Sequence, residues 1–298
     1  MSGRALIIVP PRQVADPTEV DVDIGLRAGL VETEGPVPTF ASAGLERRAS
    51  AIAGIAGSSW DYIAGLLGHR PEVQVIVLSE TDWAERGRVP LFGLPNAEAG
   101  TLVVAGTEAG WWSDLAPMAG PDGQSELMSV YGDPDGNLHF GDFFDLVAVH
   151  EVAHLFCEGQ VVFPRMWIGE LFANLALHAW VGQRAPNSHD TLMTLPRLAA
   201  PGSGPEIEHR TRDAFERLYT SIGGPNYAWY QFRLEVAAEE LVNSVGEVAV
   251  RRLFDAFRVE GGTDRDSQGF DESIDDATLA ARLSAAVDPE LGAFSLSF

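Results

Sequence analysis

Apolar residues recur at helical spacing through most of the chain and at strand spacing in only a few short runs. Val73-Gln74-Val75-Ile76-Val77-Leu78 and Thr101-Leu102-Val103-Val104-Ala105 are β-branched and bounded by Pro or Gly, so each predicts a strand. The apolar stretch Ala5–Val9, closed by Pro10, reads as a first strand. Residues 12–40 mix Asp, Pro, Gly and Val and predict loop with a short strand or two. Residues 41–68 are rich in Ala and Leu at helical spacing, interrupted by Gly54, Gly57 and Gly65. Loop and a short helix are expected over 81–99, and turns over 107–141, the tightest at Asp133-Pro134-Asp135-Gly136-Asn137. Beyond that point the pattern is helical: 142–157, 165–181, 207–220, 226–245, 247–258 and 276–286, with a loop-rich stretch at 182–206. No internal repeat is present. This order predicts an α+β fold in one domain over 1–298. A small sheet with helices would form an upper lobe, about 1–141, and a mainly helical lobe would follow, about 142–298.

One of these helices carries chemistry. His150-Glu151-Val152-Ala153-His154 lies inside an apolar run, with Asp142 placed as its N-cap. Helical spacing puts His150 and His154 one turn apart on the same face, near enough to share one metal ion. Glu151 flanks that face, where its carboxylate can take the proton of a water that the metal activates. After His154 come fifteen residues, then Glu170, in Met166-Trp167-Ile168-Gly169-Glu170-Leu171-Phe172-Ala173-Asn174. Glu170 can complete a His2Glu set, and Asn174, four residues on, can hydrogen-bond a ligand histidine. Cys157, just past the motif, is read as a small buried hydrophobe rather than a ligand.

H-E-x-x-H followed by a glutamate on the next helix resembles the gluzincin metallopeptidases, firmly over residues 141–181 and loosely over about half the chain. The resemblance implies a zincin-like fold, one zinc per chain held by His150, His154 and Glu170, and hydrolysis of peptide or protein substrates with Glu151 as general base. It also implies an edge strand lining the cleft, for which Thr101–Ala105 is the candidate. A tyrosine that stabilises the oxyanion is expected well downstream of Glu170. Tyr230 is the first choice, Tyr227 the second and His209 the third. There are departures. Asn174 stands where thermolysin-like members carry aspartate, and the G-A-M-E-N motif of the aminopeptidase branch is absent. The metzincin pattern wants Gly and His where Cys157 and Gln160 stand. Two other readings stay open: a zinc-binding scaffold that cleaves nothing and acts in binding or regulation, and a zinc hydrolase of a non-peptide amide. Retention of Glu151 favours the enzyme, because a structural site has no use for it.

Charge narrows the partners. The net charge of −23 over 298 residues opposes binding to nucleic acid and to anionic membrane surfaces. All 20 basic residues are arginine. A single cysteine excludes an internal disulfide framework. No apolar run approaches the ~20 residues of a membrane span, and the N-terminal stretch is too short for a signal peptide's apolar core, so a cytoplasmic enzyme is expected. Asp264-Arg265-Asp266-Ser267-Gln268-Gly269 begins like a calcium loop, but Asp271 breaks its pattern and a solvated acidic loop is expected. Oligomeric state is not encoded in any of these features.

Overall fold

Five short strands form one mixed sheet in the computed structural model, which describes residues 25–202, 207–219, 221–259 and 274–297. They are β1 (Val31–Thr33), β2 (Thr39–Ala41), β3 (Gln74–Leu78), β4 (Asn96–Glu98) and β5 (Thr101–Ala105), in the spatial order β1-β2-β3-β5-β4. β2, β3 and β5 are parallel, and the outer strands β1 and β4 run antiparallel to their neighbours. The central strands β3 and β5 are buried on both faces, which explains their unbroken apolar runs. Val75, Val77, Leu102 and Val104 face helix α1 (Glu46–Leu67), while Ile76, Leu78, Val103 and Ala105 pack with Trp83 of α2 (Glu80–Arg86) on the other side.

Thr101–Ala105 is therefore not the edge strand. The edge on that side is β4, paired to β5 through a two-residue turn in which Ala99 (φ 49°) and Gly100 (φ 72°) are both left-handed. Such turns match the twist of the strands they join, and glycine meets the conformation without strain. Asn-Ala-Glu has no strand signature of its own; pairing with β5 makes it one.

The rest is helical. After a 3-10 segment over Gly110–Ala119 come α3 (Gly120–Tyr131), α4 (Gly141–Leu155), α5 (Met166–Arg184), α6 (His189–Ala199) and α7 (Arg212–Leu218). The chain continues through α8 (Gly224–Val245), α9 (Val248–Phe257), α10 (Asp276–Ala286) and α11 (Pro289–Ser297). Helix thus replaces most of the turns expected over 107–141 and much of the loop expected over 182–206, while the tight turn at Asp133–Asn137 forms, with the Gly136 amide donating to Asp133 O at 3.1 Å. α1 runs unbroken past its three internal glycines and stops at Gly68, a left-handed cap whose amide donates to Ala64 O. The Ala5–Val9 strand and the Asp264–Gly269 loop lie outside the described residues. Among the described residues, no helix is long and apolar enough to cross a membrane.

α4 and α5 form the centre. α4 is apolar nearly all round, as a helix enclosed by protein should be. Ala148, Val152 and Ala153 face the main core, and Phe143, Phe144, Leu146 and Val149 face a second cluster built on the 3-10 segment, α3 and α6. Arg48 of α1 forms a two-pronged ion pair with Asp145, which ties α4 to the helix covering the sheet. On α5, Trp167 and Phe172 are fully buried. Side chains of that kind each stabilise the fold by about 1.5–3 kcal/mol.

Candidate metal centre

α4 delivers His150 and His154 from successive turns of one face, and α5 delivers Glu170 opposite them. Asp142 does not cap α4: Phe140 holds the N-cap position without a side-chain bond, Asp142 falls in the first turn, and Glu108 accepts the Phe140 amide at 2.6 Å. The first turn of α5 is closed from outside. The Glu216 carboxylate of α7 accepts the amides of Met166 at 2.9 Å and Trp167 at 3.1 Å. A carboxylate there satisfies orphan donors and complements the helix dipole. Glu170 thus rises from an anchored turn.

The three side chains converge. His150 Nε2 is 3.0 Å from His154 Nε2 and 3.3 Å from Glu170 Oε2, and His154 Nε2 is 4.0 Å from Glu170 Oε1. Tetrahedral ligands at the ~2.0–2.1 Å bond lengths usual for zinc sit about 3.3 Å apart, so these spacings suit one ion. The group could hold a metal ion, and its donor set fits a divalent one. Asn174 Oδ1 hydrogen-bonds His150 Nδ1, which assigns that nitrogen its proton and turns the Nε2 lone pair toward the other two ligands.

Electrostatics point the same way. Burial works against charge on His150, but hydrogen bonding and attraction from Glu170 outweigh it and raise its pKa to about 9. Burial likewise opposes ionisation of Glu170, yet His150, His154 and Gln231 hold it down to about 2. Burial, reinforced by the His150 charge, depresses His154 to about 4. The triad therefore attracts a positive charge to its centre, and a proton on His150 occupies the place of one. Two further residues steady Glu170: Tyr219 donates to Oε1 at 2.9 Å, and Gln231 donates to Oε2 at 2.7 Å.

Glu151 lies beside the triad. Its Oε2 accepts the outward-facing amide of Ala97 on β4 at 3.1 Å, which orients the carboxylate. Burial raises its pKa to about 7, with the Glu170 charge adding and His150 and the Ala97 amide opposing. Glu151 and His150 line a cavity of ≈ 400 Å³ whose walls include Leu94, Trp111, Phe143, Leu177 and Phe232. Tyr227 also lines it, 3.5 Å from Tyr219 hydroxyl to hydroxyl. Burial and then the Glu170 charge keep the Tyr227 hydroxyl protonated well beyond the usual phenol range.

Tyr230 is not at this site. It is buried against Phe215, and its hydroxyl donates to Thr211 O at 2.7 Å. Three helical residues turn the side chain about 60° around the axis, enough to carry Tyr230 off the face that Tyr227 shares with Gln231. His209 is fixed elsewhere, through backbone bonds to Asn226. Cys157 is half-buried and outside the ligand group, and burial pushes its thiol up. Tyr219 escapes sequence reasoning: it follows a seven-residue helix and reaches Glu170 only through the tertiary fold. No family model, curated protein or solved structure matches the chain.

Proposed function

We propose that this chain is a zinc-dependent peptidase with a zincin-like architecture, in which His150, His154 and Glu170 hold the ion and Glu151 is the general base. The observation that carries the reading is the convergence of these three ligands beside Glu151 at one wall of a large cavity. The resemblance of residues 141–181 to gluzincins agrees with it. Zinc bound there supplies Lewis-acid polarisation of the substrate carbonyl and acidifies a water.

The chain's own residues account for the rest. Glu151, with one oxygen on the Ala97 amide, accepts the proton of the attacking water and passes it to the departing nitrogen. A cation next to it favours its ionised form, which primes it as a base near neutral pH. Tyr227, protonated and facing the cavity, donates a hydrogen bond to the carbonyl oxygen as negative charge develops there. Tyr219 and Gln231 fix the Glu170 carboxylate, and Asn174 fixes the His150 ring. β4 supplies the sheet edge along which an extended peptide can lie.

The experiment is the Glu151→Gln substitution, assayed for zinc by elemental analysis and for cleavage of a mixed peptide library. Zinc should stay near one ion per chain while hydrolysis falls at least ~10²-fold, the scale of general acid–base work. Wild-type turnover in the zinc-loaded variant would refute Glu151 as base. An inactive wild-type protein that holds zinc tightly would favour the non-catalytic scaffold.

A further inference from the structure

α5 and α8 face each other through polar side chains set four residues apart: Glu170, Asn174 and His178 on one, Tyr227, Gln231 and Glu235 on the other. The end nearest the metal ligands is closed by the Gln231–Glu170 bond. The far end is open. His178 Nε2 lies 3.1 Å from Glu235 Oε1, a close contact of an imidazole with a carboxylate, but not in hydrogen-bond direction, so neither atom has a hydrogen-bond partner among the described residues, and Asn174 Nδ2 has none either. All three residues are more than nine-tenths buried, at 2 % exposure for Asn174, 5 % for His178 and 7 % for Glu235. Buried polar atoms in native proteins are normally satisfied, so Glu235 Oε1, an acceptor at the cavity, lacks a donor as its hydrogen-bond partner. Asn174 and Glu235 line the same cavity as His150 and Glu151.

The cavity's chemistry identifies that partner. Its walls are mostly apolar, its carboxylates are Asp114, Glu151 and Glu235, and no arginine among the described residues lines it. A wholly apolar occupant would leave Glu235 desolvated with no hydrogen bond and only the His178 contact, and an anionic one would be repelled. An apolar stem ending in a cation suits both the walls and the floor. Glu235 stands one helical turn beyond Gln231, about 6 Å farther along α8, a span that the stem of a lysine or arginine covers. We infer that this cavity binds a basic side chain, with Glu235 as its counter-ion, and so selects peptides carrying Arg or Lys beside the bond to be cleaved. The binding stands on the cavity alone; only its meaning as substrate selection rests on the peptidase reading.

Calorimetric titration of the intact protein with n-butylguanidinium and with n-butylurea tests it. The two probes share one shape and differ in charge, and the guanidinium, always protonated, does not ligate a metal. The guanidinium should bind at least tenfold more tightly than the urea, and Glu235→Gln should abolish that difference while zinc content holds. Equal affinities in the wild type, or an advantage that survives Glu235→Gln, would overturn the inference. If Glu235→Gln does not fold, the wild-type comparison of the two probes decides alone. Cleavage of a peptide library is the second arm. Cleavage without preference for basic residues would overturn the selection claim and leave the peptidase reading intact. Charge-selective binding without cleavage of any peptide would uphold the basic-group site and count against the peptidase.

Discussion

Asn174→Ala isolates the support of a metal ligand from the ligand itself. Asn174 Oδ1 accepts the Nδ1 proton of His150, and both residues are buried. Deleting the acceptor strands a buried N–H, at a cost of about 1–3 kcal/mol. At about 1.4 kcal/mol per decade, that is roughly a 5- to 150-fold loss if it falls wholly on the bound state. Loss of a partner behind a metal-binding histidine elsewhere costs about 10- to 100-fold, within the same range. Zinc affinity should therefore fall about 10- to 100-fold, read by competition with a chromophoric chelator at fixed pH. The metal-free fold should suffer less, because the substitution also removes the unpaired Asn174 Nδ2. Asn174→Asp separates the two effects. It keeps the acceptor and adds negative charge behind the ligand, so zinc should bind at least as tightly as in the wild type. Wild-type zinc affinity in Asn174→Ala would refute the role given to this carboxamide.

Glu170→Ala should reduce zinc from about one ion per chain to a small fraction of that in protein purified without added metal; unchanged content would remove Glu170 from the ligand set. Tyr227→Phe should lower kcat by about 10²- to 10³-fold with zinc retained, the scale of a lost oxyanion donor. Tyr230→Phe should leave kcat alone and cost about 1 kcal/mol of stability through its bond to Thr211. Glu108 and Asp133 both hydrogen-bond His139 and raise its pKa above the ordinary histidine value. The stability they contribute is complete below about pH 6.5 and is lost as pH rises through the folded-state value. An NMR titration of His139 should show the raised midpoint, and Glu108→Gln should lower it.

His150, Glu151 and His154 were legible because helix geometry alone fixes what residues one and four apart can do together. Glu170 and Asn174 were legible for the same reason once a second helix was recognised. Tyr219 was not, since only the packing of α7 against α5 brings it to Glu170. Tyr230 was preferred to Tyr227 because the sequence does not say which face of α8 meets the cavity, and the 60° between the two rings decides it. The sheet edge was misplaced because Thr101–Ala105 has the composition of a strand and Asn96–Glu98 has none. α6 was hidden by Pro196 inside it and by the Pro- and Gly-rich stretch after it. α3 was hidden by Gly120, Pro121 and Gly123, yet proline is well placed in a first turn, as Pro121 is here.

The alternating polar rungs between α5 and α8 have a consequence for how the two helices find one another. Apolar surfaces alone tolerate sliding, because one ridge fits the next groove nearly as well. Here a slip of α8 by one turn, about 5.4 Å, would break the Gln231–Glu170 bond and bring either Tyr227 or Glu235 opposite Glu170. In the second case two buried carboxylates would meet without a cation between them, an arrangement strongly disfavoured at low dielectric. The same residues that converge on the metal centre thus act as a key against misassembly, and the penalty for the wrong register is already present before any ion binds.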